Sequence, residues 1–412
     1  MTLEAVVQAL RLLRAHKLRS ALTLFGIAWG TAAVIFLVGW GEGSRQKLEW
    51  GFFKAGKNMG EVWAGKSSEE FTPAVDRRYL WYRREDVVAL RRRAKIPDLI
   101  GTEAWEMLPV VNGPRALTVD IRGVDPEAIE VRGVGVAAGR SLTQSDLDHR
   151  RRVALLGDTT RRRLLGPDAR VGAWIRIAGK PFQVVGFLER VGTQLSRDRL
   201  EIDEQLWIPI TTLQAGWPAW WTDDAVVSKI LYRIPDRSLL EDSEREVRAI
   251  LAERLGAPSD DVEAVGIWSS LKMLNRLPLE QIRGLLFVLA VTNLLIGGIG
   301  VLNMMLDSVH ERRHEIGVRL AVGARRRDVV MQFLVETLVI CLLGGTLGAG
   351  LGIGACLALA RVPVPELVPV PILQPGIVGL AFSVLVLVGI GSGVVPAWRA
   401  SRIDPALTLR MD

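Results

Sequence analysis

Residues 284–306, GLLFVLAVTNLLIGGIGVLNMML, form an unbroken apolar run. Comparable runs cover 21–40, about 336–360 and about 376–398. About 20 apolar residues span the hydrocarbon core of a bilayer, so the pattern predicts four transmembrane helices. Between the first and second runs lie residues 41–283, where apolar positions recur only in short pieces. VGAWIRIAGKPFQVVGFLER (171–190) reads as two β-rich runs around Ala178-Gly179-Lys180-Pro181, a hairpin. In SLLEDSEREVRAILAERL (238–255), Val247, Ile250, Leu251 and Leu255 make a helical stripe, and Ser238 with Glu241 makes a capping box. Strands and helices mix there without a βαβ beat. The fold class expected is a membrane protein: four transmembrane α-helices with a large α+β domain inserted between spans one and two.

Charge orients these spans. Residues 1–20 mix Leu and Val with Arg11, Arg14, Lys17 and Arg19, which suits an amphipathic helix on the cytoplasmic face. The 307–335 link carries Arg312, Arg313, Arg319, Arg325, Arg326 and Arg327, and the 399–412 tail is also basic. By the positive-inside rule all three lie in the cytoplasm, and both termini with them. The proline-rich loop 361–375 carries only Arg361 and Glu366 and falls outside, together with the 41–283 domain. Span one is too long for a signal-peptide core and has no cleavage site after it, so it is read as retained. Hydrophobic content of 49% fits membrane residence, while 24% charged residues fit a large water-exposed part. The net charge of +7 suits contact with anionic membrane lipids. Nucleic acid is not an expected partner, because the basic clusters flank apolar spans instead of forming one polar face.

The spans are rich in glycine at small-xxx-small spacing: Gly26 and Gly30, then Gly344, Gly348 and Gly352, with Gly350/Gly354 and Gly389/Gly393 besides. Such spacing lets helix backbones approach closely in lipid, within one bundle or across a dimer seam. Cys341 and Cys356 stand about 22 Å apart on one helix, too far to bridge, and read as packing residues. Glu336 at the start of span three is expected to face water at the cytoplasmic boundary. Two signatures match by letter. Gly60-Glu-Val-Trp-Ala-Gly65-Lys66-Ser67 fits a phosphate-binding P-loop, but its flanks lack the strand and helix such a loop needs, so it reads as chance in a turn. His310-Glu311-Arg312-Arg313-His314 fits H-E-x-x-H, an intramembrane zinc metalloprotease pattern. No third ligand is evident and two arginines crowd it, so a solvated charged helix is the preferred reading and no catalytic or metal site is assigned. Trp217, Trp220 and Trp221 read as packing or loop anchoring.

HERRHEIGVRLAVGARRRDVVMQFLVETLVICLLGGTLGAGLG resembles the shared segment of the MacB/FtsX family of ABC-transporter permeases. There an E-R-x-x-E-I-G-x-R-x-A-x-G-A pattern leads into a glycine-rich third span. Glu311, Arg312, Glu315, Ile316, Gly317, Arg319, Ala321, Gly323 and Ala324 fill it here. The tail resembles the family's ending through Pro396, Arg399, Ala400, Pro405, Leu409 and Arg410. KLRSALTLFGIAWG resembles its first span, and VALLGDTTRRRLLGPDARVGAWIRIAGKPFQVVGFL its extracytoplasmic core domain. The resemblance implies a multi-pass permease of the bacterial inner membrane, dimeric with itself or a close homologue. A separate cytoplasmic ABC ATPase would bind ATP and Mg, no cofactor being bound by this chain. The nine residues from Glu311 to Ala324 would form the helix that docks on it. ATP-driven closure would then be relayed to the extracytoplasmic domain, which itself contacts an adaptor or outer-membrane protein. The alternative within the family is a signalling regulator of a partner such as a cell-wall hydrolase.

Overall fold

The computed structural model describes residues 17–54, 56–66, 80–196, 198, 200–217, 226–366 and 368–404. The expected amphipathic helix before Lys17, Ser67, Trp220, Trp221 and the tail from Pro405 lie outside them. The chain divides into two compact units. One runs up to Lys47 and resumes at Pro278; the other is Leu48–Leu277.

In the first unit, among the described residues, four helices are long and apolar enough to cross a membrane. The first is Lys17–Phe53, whose C-terminal end passes into the second unit. The second is Leu279–Glu311, the third Arg326–Ala360 and the fourth Pro375–Ser401. Each overruns the apolar run that announced it, because polar ends continue the helix beyond hydrocarbon. The third starts ten residues before the expected boundary at Glu336: Arg325 is its extended N-cap residue and Asp328 lies in its first turn, favourable to the helix dipole. Pro375 occupies the first turn of the fourth helix, where its missing N–H costs nothing. The core here gathers Ile27, Val34, Leu294, Met305, Phe333, Ile340 and Leu385. Leu22, Phe25, Leu285, Ile296, Leu351 and Leu387 point outward, as lipid-facing residues do.

The inserted unit is α+β. Ten strands among the described residues form one mixed sheet, ordered β12-β1-β11-β3-β4-β9-β6-β8-β5, with β7 joining β3 to β8. Four neighbours matter below: β1 (Met59–Ala64), β11 (Lys229–Arg233), β3 (Leu99–Asn112) and β4 (Arg115–Val124), all antiparallel in sequence along the sheet. The expected hairpin is β7 (Trp174–Ile177) and β8 (Lys180–Leu188). Its turn is tighter than the four residues read from sequence. Ile177 pairs with Lys180, leaving Ala178 and Gly179 at φ 43° and 84°, the positive-φ pair that matches strand twist. The helix at 240–255 buries Val247, Ile250 and Leu251 against Val62, Tyr82 and Tyr232. The capping box of Ser238 and Glu241 does not form. Asp236 instead accepts from the Ser238 amide at 2.7 Å and caps a 3-10 turn ahead of the helix.

Candidate functional site

The basic link between the second and third membrane helices is an elbow. The second helix stops at Glu311, and Arg312 leaves helical geometry at φ −96°, ψ 14°. A short helix, Arg313–Ala321, follows, and Gly323 at φ 100° reverses the chain into the third helix. His310 and His314 therefore sit on different helices, both exposed, and the one-face geometry that H-E-x-x-H requires is broken at Arg312. Among the described residues no three His, Cys, Asp or Glu side chains gather as a metal site.

The short helix has two faces. Ile316 and Gly317 are buried, with Ile316 in the membrane-unit core and Leu320 packed against it. Two arginines fasten it to the third helix. Arg312 Nη1 lies 3.2 Å from Glu336 Oε2, and Arg319 Nη1 donates to Gln332 at 3.1 Å while also pairing with Glu315. Gln332 donates to Glu336 at 3.2 Å. Glu336 does not face water as expected: its side chain is 1% exposed, because the helix begins earlier and its first turns fold under the elbow. On the opposite face Glu311, Glu315, Val318, Arg319, Ala321, Val322, Gly323 and Ala324 are exposed, Val322 at 85%. Of the nine motif residues, Arg312, Ile316 and Gly317 thus hold the elbow and the other six present it.

The packing glycines lie between helices of the same chain. A Cβ on Gly30 would stand 2.8 Å from Leu294 Cα, and one on Gly26 would stand 3.4 Å from Gly297 Cα. On the third helix, Gly344, Gly348 and Gly352 face Ile27, Ala28 and Ala32 of the first, with 2.3 Å left between a Gly348 Cβ and the Ala28 carbonyl oxygen. Gly350 and Gly354 meet nothing within 4 Å. Gly60 of the P-loop match is inside strand β1, not a turn, and its missing Cβ makes room for the Tyr232 ring. Trp217 stacks on Phe182, centroids 5.9 Å apart, with Lys180 Nζ above its ring.

Sequence reasoning missed a second feature, a buried ionic cluster in the inserted unit. Glu61 (β1), Lys229 (β11), Glu103 (β3), and Asp120 and Arg122 (β4) share one sheet face. Arg132, at the end of helix Pro126–Arg132, and Asp198, from the loop before β9 (Gln205–Pro209), complete it. Arg122 pairs with Glu103, with Asp120 at 2.7 Å and with Asp198 at 3.2 Å. Arg132 reaches Glu103 at 2.7 Å and Asp198 at 2.9 Å, while Lys229 lies 2.7 Å from Asp198 and 3.2 Å from Glu61. Burial is the largest influence on Asp198 and opposes its charge, yet Arg132, Lys229 and Arg122 together hold its carboxyl far below the ordinary range. For Glu61 burial wins over Lys229 and Arg132, and its pKa is raised. The alternation of Asp120 and Arg122 on one strand is the sole local hint; the rest are brought together by topology.

Two family models match. The MacB-like periplasmic core domain covers residues 20–250, and the FtsX-like permease C-terminal covers 287–405. The macrolide export ATP-binding/permease protein MacB of Rhodospirillum rubrum is 32% identical over 98% of this chain and 60% of its own length. The proteins of the same name from Chromobacterium violaceum and Hyphomonas neptunium are 30% and 32% identical over the same shares. The chain thus spans about 60% of the length of these curated relatives. With four membrane helices, the large domain between the first two, and both family models in order, the chain belongs to the MacB/FtsX family of ABC-transporter permeases.

Proposed function

We propose that this chain is the permease subunit of an ATP-driven export complex. A separate cytoplasmic ABC ATPase holds ATP and Mg, and its closure is relayed through the elbow to the inserted domain. The observation that carries this reading is the two-faced helix Arg313–Ala321. One face is anchored by Ile316 and the Arg312–Glu336 pair; the other offers Val318, Val322 and a ring of arginines. A helix so fastened transmits a push to the third membrane helix instead of bending locally. The curated relatives, named as ATP-binding/permease proteins for macrolide export, favour the same division of labour. In this arrangement both termini and the elbow are cytoplasmic in a bacterial inner membrane. Two copies pair within the membrane, and the inserted domain engages a periplasmic adaptor or outer-membrane protein.

The test uses a pull-down in mild detergent to identify the ATPase, then ATP hydrolysis by the reconstituted complex. Arg319→Glu combined with Val322→Asp is expected to abolish permease-stimulated hydrolysis while leaving the thermal midpoint unchanged. Stimulation that survives both changes removes the elbow as the contact.

A further inference from the structure

Beside the ionic cluster the inserted unit contains a cavity of about 210 Å³. Its floor is the sheet face that carries the charges. Trp63 pairs across with Lys229, Trp105 with Arg122 and Met107 with Asp120, so indole and thioether walls stand on the same face as the ions. Glu61 and Ser228 complete the side toward β1 and β11.

The hydrogen-bond inventory of this cavity is one-sided. The donors are engaged: Arg122 with Asp120, Glu103 and Asp198, and Lys229 with Asp198. The acceptors are not. Both carboxylate oxygens of Glu61 and Oδ1 of Asp120 are buried and accept no hydrogen bond, and Ser228 Oγ makes none. Glu61 is 0% exposed and Asp120 1%. Buried acceptors without donors are costly, and they are normally met by water or a ligand. Charge points the same way, since four carboxylates of the cluster face three cations. What the cavity lacks is a positively charged donor, and its aromatic walls favour a cation with an apolar body.

We propose that this cavity is a binding site for a small organic ammonium, its N–H groups on Glu61 and Asp120 and its apolar body between Trp63, Trp105 and Met107. The size fits a compact ligand. A cavity of about 150 Å³ accepts benzene, so about 210 Å³ takes one ring with a short amine tail. The site lies wholly within the inserted unit and does not depend on how the ATPase is coupled.

The test is calorimetric titration of the full chain in lipid nanodiscs with 2-phenylethylammonium, with empty nanodiscs subtracted. The neutral isostere 2-phenylethanol separates charge recognition from apolar partition. The ammonium is expected to bind saturably and at least about tenfold tighter than the alcohol, the scale of a charged hydrogen bond. Glu61→Gln is expected to erase that preference, and Trp105→Ala, which leaves every charge in place, to weaken both ligands. Equal affinity for ammonium and alcohol, no saturable heat, or an unchanged preference in Glu61→Gln overturns the proposal. Should Glu61→Gln fail to fold, the comparison of the two ligands on the unaltered chain and on Trp105→Ala decides alone.

Discussion

Arg312 lies within the family motif, yet its guanidinium points inward to Glu336, and this sets apart holding the elbow from touching a partner. Replacing Arg312 by Met strands a carboxylate that is 1% exposed. Breaking a buried pair by removing one partner costs about 3–5 kcal/mol. Arg312 itself is 22% exposed and Gln332 still donates to Glu336, so water and one surviving hydrogen bond offset part of that loss. About 2–3 kcal/mol is expected, read as a lowered midpoint in chemical unfolding of the detergent-solubilised chain. Glu336→Met alone is milder, because the guanidinium left behind reaches solvent. The double variant restores most of the stability, since two apolar side chains replace the pair without an orphaned charge. The cycle should therefore give a coupling energy of about 1–3 kcal/mol. Coupled ATP hydrolysis reads the role directly: an arginine that only fastens the elbow is dispensable once Glu336 is also neutral. A coupling energy below about 0.5 kcal/mol, or a double variant that is stable but uncoupled, refutes the clamp and returns Arg312 to the docking face.

Other expectations follow from single positions. Gly348→Leu drives a side chain into the Ala28 backbone and should cost about 1–3 kcal/mol or more, whereas Gly350→Leu, facing open space, should leave the unfolding midpoint unchanged. In the ionic cluster the two carboxylates respond oppositely to pH. Burial raises the Glu61 pKa, so its stabilising contribution is full below about pH 4.5 and is lost as pH rises through the folded value. Glu61→Gln is thus expected to stabilise the chain at pH 7, with the gain vanishing toward about pH 4 in parallel melts. Asp198, with its pKa depressed, contributes stability above about pH 3.8 that is lost as pH falls, and Asp198→Asn should cost about 3–5 kcal/mol at neutral pH. Gly179→Val, at φ 84° in the hairpin turn, should lower stability by about 1–2 kcal/mol in the same melts.

The membrane spans were legible because about 20 consecutive apolar residues have few other uses, and the β7–β8 hairpin because Ala-Gly between β-rich runs is a local signal. The elbow was legible as charge but not as two faces. Whether Arg312 points out or in depends on where the third helix begins, and Glu336 looks solvent-exposed only if that start is placed ten residues late. The Ser238 capping box failed because Asp236, two residues earlier, competes for the same amide. The ionic cluster was invisible for a deeper reason. Its members are spread from Glu61 to Lys229, and strand register alone sets Lys229 opposite Glu103 and Glu61 on the same face. A charge in a strand such as Glu103 in TEAWEM reads as solvent-facing until the opposing cations are known.

The central claim is that motion at the elbow reaches the inserted domain. Asp260 is exposed there and offers a site for a spin label after Asp260→Cys, with the buried Cys341 and Cys356 replaced by serine. Pulsed dipolar spectroscopy then measures the distance between the labels of two copies in the reconstituted complex. The account predicts a shifted distance distribution when ATP and Mg are added, and no shift when Arg319→Glu and Val322→Asp are present. A shift that persists in the altered elbow, or none in the unaltered complex while ATP is hydrolysed, contradicts it.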